Sequence, residues 1–161
     1  MITLSNLNKN NKEIWLPRLF DLLYENMNEI ILSNSEYEQE KEQWFTNVTP
    51  ALDKPTRQIT MCFDDNELIG YIQYYINNKL LMIEELQLNK KYHCTFTFYS
   101  FCKNFIKGLP SDIKYTEAFA DRRNSYSQKL IQKSGMKYVD SNSNFIHFRG
   151  DADKIINRFI K

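Results

Sequence analysis

Glycine and proline are scarce in this chain, at four residues each in 161, while hydrophobic residues make up 42% and aromatic residues 14%. That balance excludes a disordered or low-complexity protein, which could not bury enough apolar surface to offset its lost chain entropy. No charge of one sign dominates either: 21 basic against 20 acidic residues give a net charge of +1. Without a basic surplus, nucleic acid and anionic lipid are not expected partners. Long apolar runs are missing. The longest apolar patches, Leu68–Ile76 and Phe96–Phe105, are interrupted by polar residues, so no membrane span is expected. Met1–Glu13 lacks the apolar core of a secretory signal, and a cytoplasmic location is expected. Cysteine numbers three, Cys62, Cys94 and Cys102, an odd set without metal-ligand spacing that reads as reduced thiols. His93 and His147 lie far apart in sequence, so no metal site is expected.

What is present fits a single domain spanning residues 1–161. Ile2–Leu4 begins with apolar alternation. From Lys12 to about Leu32 a helical stripe runs through Trp15, Leu16, Leu19, Leu22, Leu23, Met27, Ile30 and Ile31, with Pro17 placed in or near its first turn. Ser35 followed by Glu38 has the form of a capping box, opening a second helix that runs to roughly Val48. Pro50 and Pro55 then bracket a loop. Three strands follow, Gln58–Phe63, Leu68–Ile76 and Lys79–Leu88, joined by Asp64–Glu67 and Asn77–Asn78, both turn-like. Phe98, Phe101, Cys102 and Phe105 stand at helical spacing before a stop at Gly108, and their aromatic stripe reads as core. A strand over Ile113–Ala120, a helix from Asn124 to Ser134, a hairpin of Met136–Val139 with Asn144–Arg149, and a helix over Ile155–Ile160 complete the chain. Helices set apart from a run of hairpins indicate an α/β (α+β) fold with a mixed, mainly antiparallel sheet flanked by helices. The step from the third long strand to Ile113–Ala120 has the form of a parallel crossover.

Two segments carry a resemblance. In the first, Asn124-Ser-Tyr-Ser127-Gln-Lys-Leu130-Ile131-Gln-Lys133-Ser-Gly135-Met136, an Asn can cap a helix, a small Ser lets it approach the sheet, and Gly135 suits a left-handed exit. The second is Ile83-Glu-Glu-Leu86-Gln-Leu88. In these segments, and in the order of its elements, the chain resembles the GCN5-related N-acetyltransferases. The resemblance implies an acyl-CoA N-acyltransferase fold, acetyl-CoA as co-substrate and an amine as acceptor. It implies that the backbone of Leu86, Gln87 and Leu88 meets the pantetheine arm. Glu84 and Glu85 then stand where a general base is placed, and deprotonating an ammonium needs such a base. Strand alternation would let only one of the pair face the reacting centre, and register favours Glu84.

The same family carries a glycine-rich loop between this strand and the next helix, whose amides close around the pyrophosphate. Here the stretch is Lys90-Lys91-Tyr92-His93-Cys94-Thr95-Phe96-Thr97-Phe98, without one glycine. His93 falls near the usual Arg or Gln position, and Cys94, Phe96 and Phe98 stand where glycine is common. By the resemblance, His93, Cys94, Thr95, Phe96, Thr97 and Phe98, with Asn124, Ser127 and Lys133, would bind the cofactor, with Lys90 and Lys91 adding positive charge. Ile131 occupies the place of a tyrosine that protonates the departing thiolate; Tyr126, one turn earlier, or a water is the alternative donor. The implied function is acetyl transfer to a small-molecule or protein amine. The alternative is a catalytically silent domain of this fold serving as a ligand-sensing or protein-interaction module. A homodimer is one option for its assembly.

Overall fold

A computed structural model describes residues 1–31, 34–54, 56–93 and 95–160. Its elements in order are β1 (Ile2–Asn6), α1 (Lys12–Asn28), α2 (Tyr37–Leu52), β2 (Arg57–Asp64), β3 (Glu67–Asn77) and β4 (Leu80–Leu88). A short 3-10 turn (Lys90–Tyr92) leads to α3 (Phe96–Lys107), β5 (Tyr115–Asp121), α4 (Ser125–Ser134), β6 (Lys137–Ser141), β7 (Phe145–Asp151) and α5 (Ala152–Ile160). The strands form one seven-stranded sheet in the order β1-β2-β3-β4-β5-β7-β6. All neighbours are antiparallel except β4 and β5, which run parallel and are linked by α3. This is the mixed sheet that the sequence leads one to expect.

Both faces of the long strands are covered, which explains why β3 reads as a near-continuous apolar run. On one face α1 and α2 bury Leu16, Leu19, Leu22 and Val48 against Ile59, Met61 and Tyr71. On the other, Phe101 and Phe105 of α3 pack on Cys62, Ile72, Tyr74 and Leu81. Phe101 is fully buried, and one such side chain contributes about 2–3 kcal/mol of hydrophobic stabilisation. The aromatic stripe of α3 is therefore core. Beyond β4 the small residues Ala118 and Ala120 of β5 pack with Phe148, Met136 and Ile155.

Several element ends differ from the sequence expectation. Pro17 is the sixth residue of α1, past its first turn, and removes the donor that would meet the carbonyl of exposed Glu13. Ser35 does not cap α2: Glu36 holds that position, without a side-chain cap bond, so the capping-box pattern falls one residue early. Pro50 lies inside α2, which continues to Leu52 because Val48 and Ala51 are buried there; tertiary packing outweighs the proline. Leu32, the expected end of α1, and Pro55 lie outside the described residues. The β3–β4 hairpin turns at Asn78 and Lys79, both at positive φ (46° and 68°), so Lys79 belongs to the turn rather than to the strand. Gly135 ends α4 at φ 108°, the left-handed exit its position suggests. Among the described residues no helix is long and apolar enough to cross a membrane.

Gly70 faces Leu88 where β3 and β4 approach closely, and a Cβ there would lie 2.6 Å from the Gln87 carbonyl oxygen. Backbone cannot swing aside as a side chain does. Gly70→Ala should therefore destabilise the protein by about 1–3 kcal/mol in urea unfolding.

Candidate active site

The site begins as a break in the sheet. β4 pairs with β5 only over Leu80–Ile83 and Tyr115–Ala118. Past that point β5 continues beside β7, and β4 runs on toward Leu88 paired with β3 and no longer with β5. The same place carries a β-bulge. Gln73 of β3 faces Glu85 and Tyr74 faces Ile83, so Glu84 is the extra residue. A bulge bends and twists its strand, and here it turns β4 away from β5.

The ladder decides which backbone groups face the gap. Asn89 N–H donates to Ile69 O at 2.7 Å, and the register pairs Gln87 with Tyr71 two residues earlier. In an antiparallel ladder, residues bonded to the neighbour alternate with residues whose N–H and C=O point away. Gln87 therefore bonds to β3, while Leu86 and Leu88 turn their backbone groups toward the gap. The Leu88 carbonyl is already taken: it accepts from His93 Nε2 at 2.8 Å and from Asn26 Nδ2 at 2.9 Å. Of the three residues expected to offer backbone groups, Leu86 alone retains both among the described residues.

The gap opens into a cavity of about 330 Å³. Leu86, Gln87 and Leu88, His93 and Phe98, and Asn124 and Ser127 line it together. Asn124 caps α4, its Oδ1 accepting from Ser127 N–H at 2.9 Å. Tyr126 stacks on His93 with ring centroids 5.2 Å apart. Ile131 lies deeper, in an adjoining apolar cavity with Phe98, Cys102 and Met136. Burial pushes the Cys102 thiol up to about 12, which makes it a packing group rather than a nucleophile.

Other expected residues fall elsewhere. Thr95 precedes α3 and gives its hydroxyl to Tyr92 O at 2.5 Å instead of capping the helix. Phe96 and Thr97 form the first turn of α3 at the rim, with Phe96 81% exposed and so turned away from the cavity. Cys94 lies outside the described residues. Lys133 stands at the far end of α4, roughly 14 Å along its axis from Asn124, and does not line the cavity. Lys90 pairs with Glu29, and Lys91 pairs with Glu67 at 2.9 Å. Neither lysine is left as an unpaired charge at the loop.

The two carboxylates behave differently from the alternation argument. Because Glu84 is the bulge residue, both side chains reach the α1–α2 face. Glu84 pairs with Arg57, two strands away across β3, and accepts from Gln73 Nε2 at 3.3 Å. Glu85 accepts from the buried Tyr71 hydroxyl, and the Trp44 side chain of α2 lies close enough to favour its ionised form. Burial pushes the Glu85 carboxyl up to about 7; the Tyr71 and Trp44 donors oppose this, and the neighbouring Glu84 charge adds to it. Burial, and then the Glu85 charge, hold Tyr71 protonated as a donor. Register favours Glu84 as the base in the sequence; the folded site leaves Glu85 as the carboxyl that titrates near neutrality.

Sequence reasoning passed over Asn26, Trp44, Arg57 and Tyr71. Asn26 was visible as a lone polar residue inside the apolar stripe of α1, where it now ties that helix to Gln87 and Leu88. The others carry no local signal, since each acts across the fold.

No protein-family model matches the chain, and no curated protein matches it in sequence. Solved structures do match it in fold. PaiA N-acetyltransferase from Thermoplasma acidophilum, in complex with coenzyme A, superposes with a TM-score of 0.71 at 17% identity, over 94% of this chain and 99% of that one. An acetyltransferase from Thermus thermophilus gives 0.74 at 14% identity, over 94% and 97%. The ribosomal-protein-S18-alanine N-acetyltransferase from Escherichia coli gives 0.65 at 8% identity, over 94% of each chain. The chain has the fold of the GCN5-related N-acetyltransferases.

Two measurements test this site. Glu85 has a folded-state value of about 7 against an ordinary 4.5, so its contribution to stability is whole below about pH 4.5 and is lost as pH rises through about 7. Urea unfolding should show Glu85→Gln gaining on wild type by about 2 kcal/mol between about pH 5 and about pH 8. Asn124→Ala should cost about 1 kcal/mol in the same assay through loss of the α4 cap.

Proposed function

We propose that this protein is an acetyl-CoA-dependent N-acetyltransferase of the GCN5-related superfamily, acting on an amine. The observation that carries the reading is the end of β4 that β5 leaves unpaired, with backbone groups at Leu86 that have no partner among the described residues, beside a carboxyl that titrates near 7. The coenzyme A complex of PaiA supports a pantetheine arm as the occupant of this kind of gap. Acetyl-CoA would supply a thioester electrophile, and everything else falls to side chains and backbone of this chain.

Leu86 would hold the arm through its N–H and C=O in place of the missing β5 neighbour. Asn124 and Ser127 would border it from α4. The first-turn amides of α3, which Thr95 does not cap, would meet the pyrophosphate with the positive end of the helix. Glu85 would take the proton from the acceptor ammonium and so free its lone pair. A carboxylate with a value near 7 is well matched to that task, being both ionised and basic enough at neutral pH. Tyr71 and Trp44 would fix its orientation. Among the α4 side chains lining the channel, the Tyr126 phenol is the most acidic and would protonate the leaving thiolate in place of the tyrosine absent at Ile131.

One observation favours the silent alternative. Lys90 and Lys91 are engaged by Glu29 and Glu67, so the glycine-free loop has little side-chain charge left for phosphates. Calorimetry decides between the readings: acetyl-CoA and free CoA should each give saturable heat with wild type. No heat from either at millimolar ligand would establish the silent domain. In an active enzyme the rate should rise with pH through about 7, where Glu85 ionises. Glu85→Gln should remove that inflection and lower the rate about 100-fold, with CoA affinity nearly unchanged.

A further inference from the structure

A second cavity, of about 390 Å³, lies between α1 and α2, outside the channel described above. Its walls are aromatic. Phe20 and Tyr24 come from successive turns of α1, and Trp44 faces them from α2; the Phe20 ring centroid lies 5.9 Å from Tyr24 and 5.7 Å from Trp44. Tyr37, one helical repeat before Trp44, closes the cluster at 5.4 Å from Phe20 and 5.0 Å from Tyr24. The fourth position on that α2 face is Glu40, which also lines the cavity. Its Oε1 is buried and has no hydrogen-bond partner among the described residues, although the residue as a whole is only partly buried.

A carboxylate oxygen removed from water and left unpaired is costly, and the cost falls when a cation fills the space beside it. The nearest cation in sequence, Lys41, does not serve: its ammonium lies over the Tyr37 ring, 5.2 Å from the centroid. Aromatic walls with one carboxylate are poor ligands for a metal ion, since calcium and magnesium require six or more oxygens. They suit an organic ammonium, which ring faces attract through their quadrupoles.

The cavity also communicates with the proposed reacting centre. Met27 lines both this cavity and the channel along β4. Trp44, part of the aromatic wall, also lies beside Glu85 and favours its ionised form. We propose that the α1–α2 cavity is a binding subsite for an organic ammonium, formed by Glu40 with Phe20, Tyr24 and Trp44, and that the acceptor is an amine carrying a second cationic group. The second half of this statement rests on the transferase reading; the first does not. One ammonium rests in the aromatic subsite while the other reaches Glu85, so the distance between them selects the substrate. Attack by the freed amine then forms the amide bond and breaks the thioester, and the ammonium in the subsite keeps its charge throughout.

Two experiments test it. In calorimetry without any acyl donor, 1-aminobutane should bind where neutral 1-butanol does not, and Glu40→Gln should weaken that binding about tenfold. Equal behaviour of the amine and the alcohol, or an unchanged affinity in Glu40→Gln, would overturn the subsite. In kinetic assays with acetyl-CoA, α,ω-diaminoalkanes of graded length should be compared with 1-aminoalkanes of matching length. The best diamine should have a KM about tenfold lower than its monoamine, and Glu40→Gln should bring the ratio toward one. A ratio near one in wild type would remove the dicationic acceptor. Acetyl-CoA titrated into the same samples reports separately on the transferase: ammonium binding without CoA binding leaves the subsite standing and overturns the enzyme.

Discussion

The parting of β4 from β5 is the constraint on which the rest of the site depends. A continuous sheet would bury every backbone group of both strands in mutual hydrogen bonds and leave nothing to offer a ligand. Here pairing stops at Ile83 and Ala118, one residue before the bulge at Glu84. The bend caused by one inserted residue both opens the gap and aims two adjacent carboxylates at the same face. Loss of sheet hydrogen bonding on that stretch is offset on the other edge, where Gly70 allows β3 to approach Leu88 closely. Asn26 from α1 supplies a further tie to the end of the strand.

Adjacent carboxylates in such a place repel each other, and the fold answers by treating them unequally. Glu84 is neutralised by Arg57, whose guanidinium lies over the Tyr75 ring and is itself half-buried. Glu85 has neutral neighbours in Tyr71 and Trp44, so burial dominates and its carboxyl holds a proton to near neutrality. Neighbouring groups whose environments drive their values apart are the arrangement that acid–base chemistry uses. Neither environment is local in sequence: Arg57 is on β2, Tyr71 on β3 and Trp44 on α2.

In the proposed transferase the glycine-free loop would shift the burden of anion binding. Its lysines point to acidic partners on α1 and β3, and His93 turns back to the Leu88 carbonyl. What would remain for a phosphate is the backbone at the start of α3, at a helix end that no threonine hydroxyl caps. A Cβ at Phe96 is no obstacle there, because the ring points to solvent.

Much of this protein was legible from sequence alone. Hydrophobic period separated α3 from the flanking strands, since periods of 3.6 and 2 are set by backbone geometry and survive in any context. The β2–β3–β4 meander, the cap at Asn124 and the left-handed exit at Gly135 were equally local, each written in turn or cap chemistry. The helix end near Pro50 was not, because burial of Val48 and Ala51 outweighs what the local residues prefer. The bulge at Glu84 lies beyond sequence reading for a different reason. One extra residue in a strand leaves its apolar alternation looking intact on either side, and only the partner strand reveals that the register has slipped. That slip decided which carboxyl is paired and which is poised, and it placed Glu85 against Trp44 from a helix about forty residues away in the chain. Sequence determined the elements, because their signals are short-range. Tertiary structure alone decided the chemistry, because a carboxyl's affinity for its proton is set by the charges and dipoles that folding brings around it.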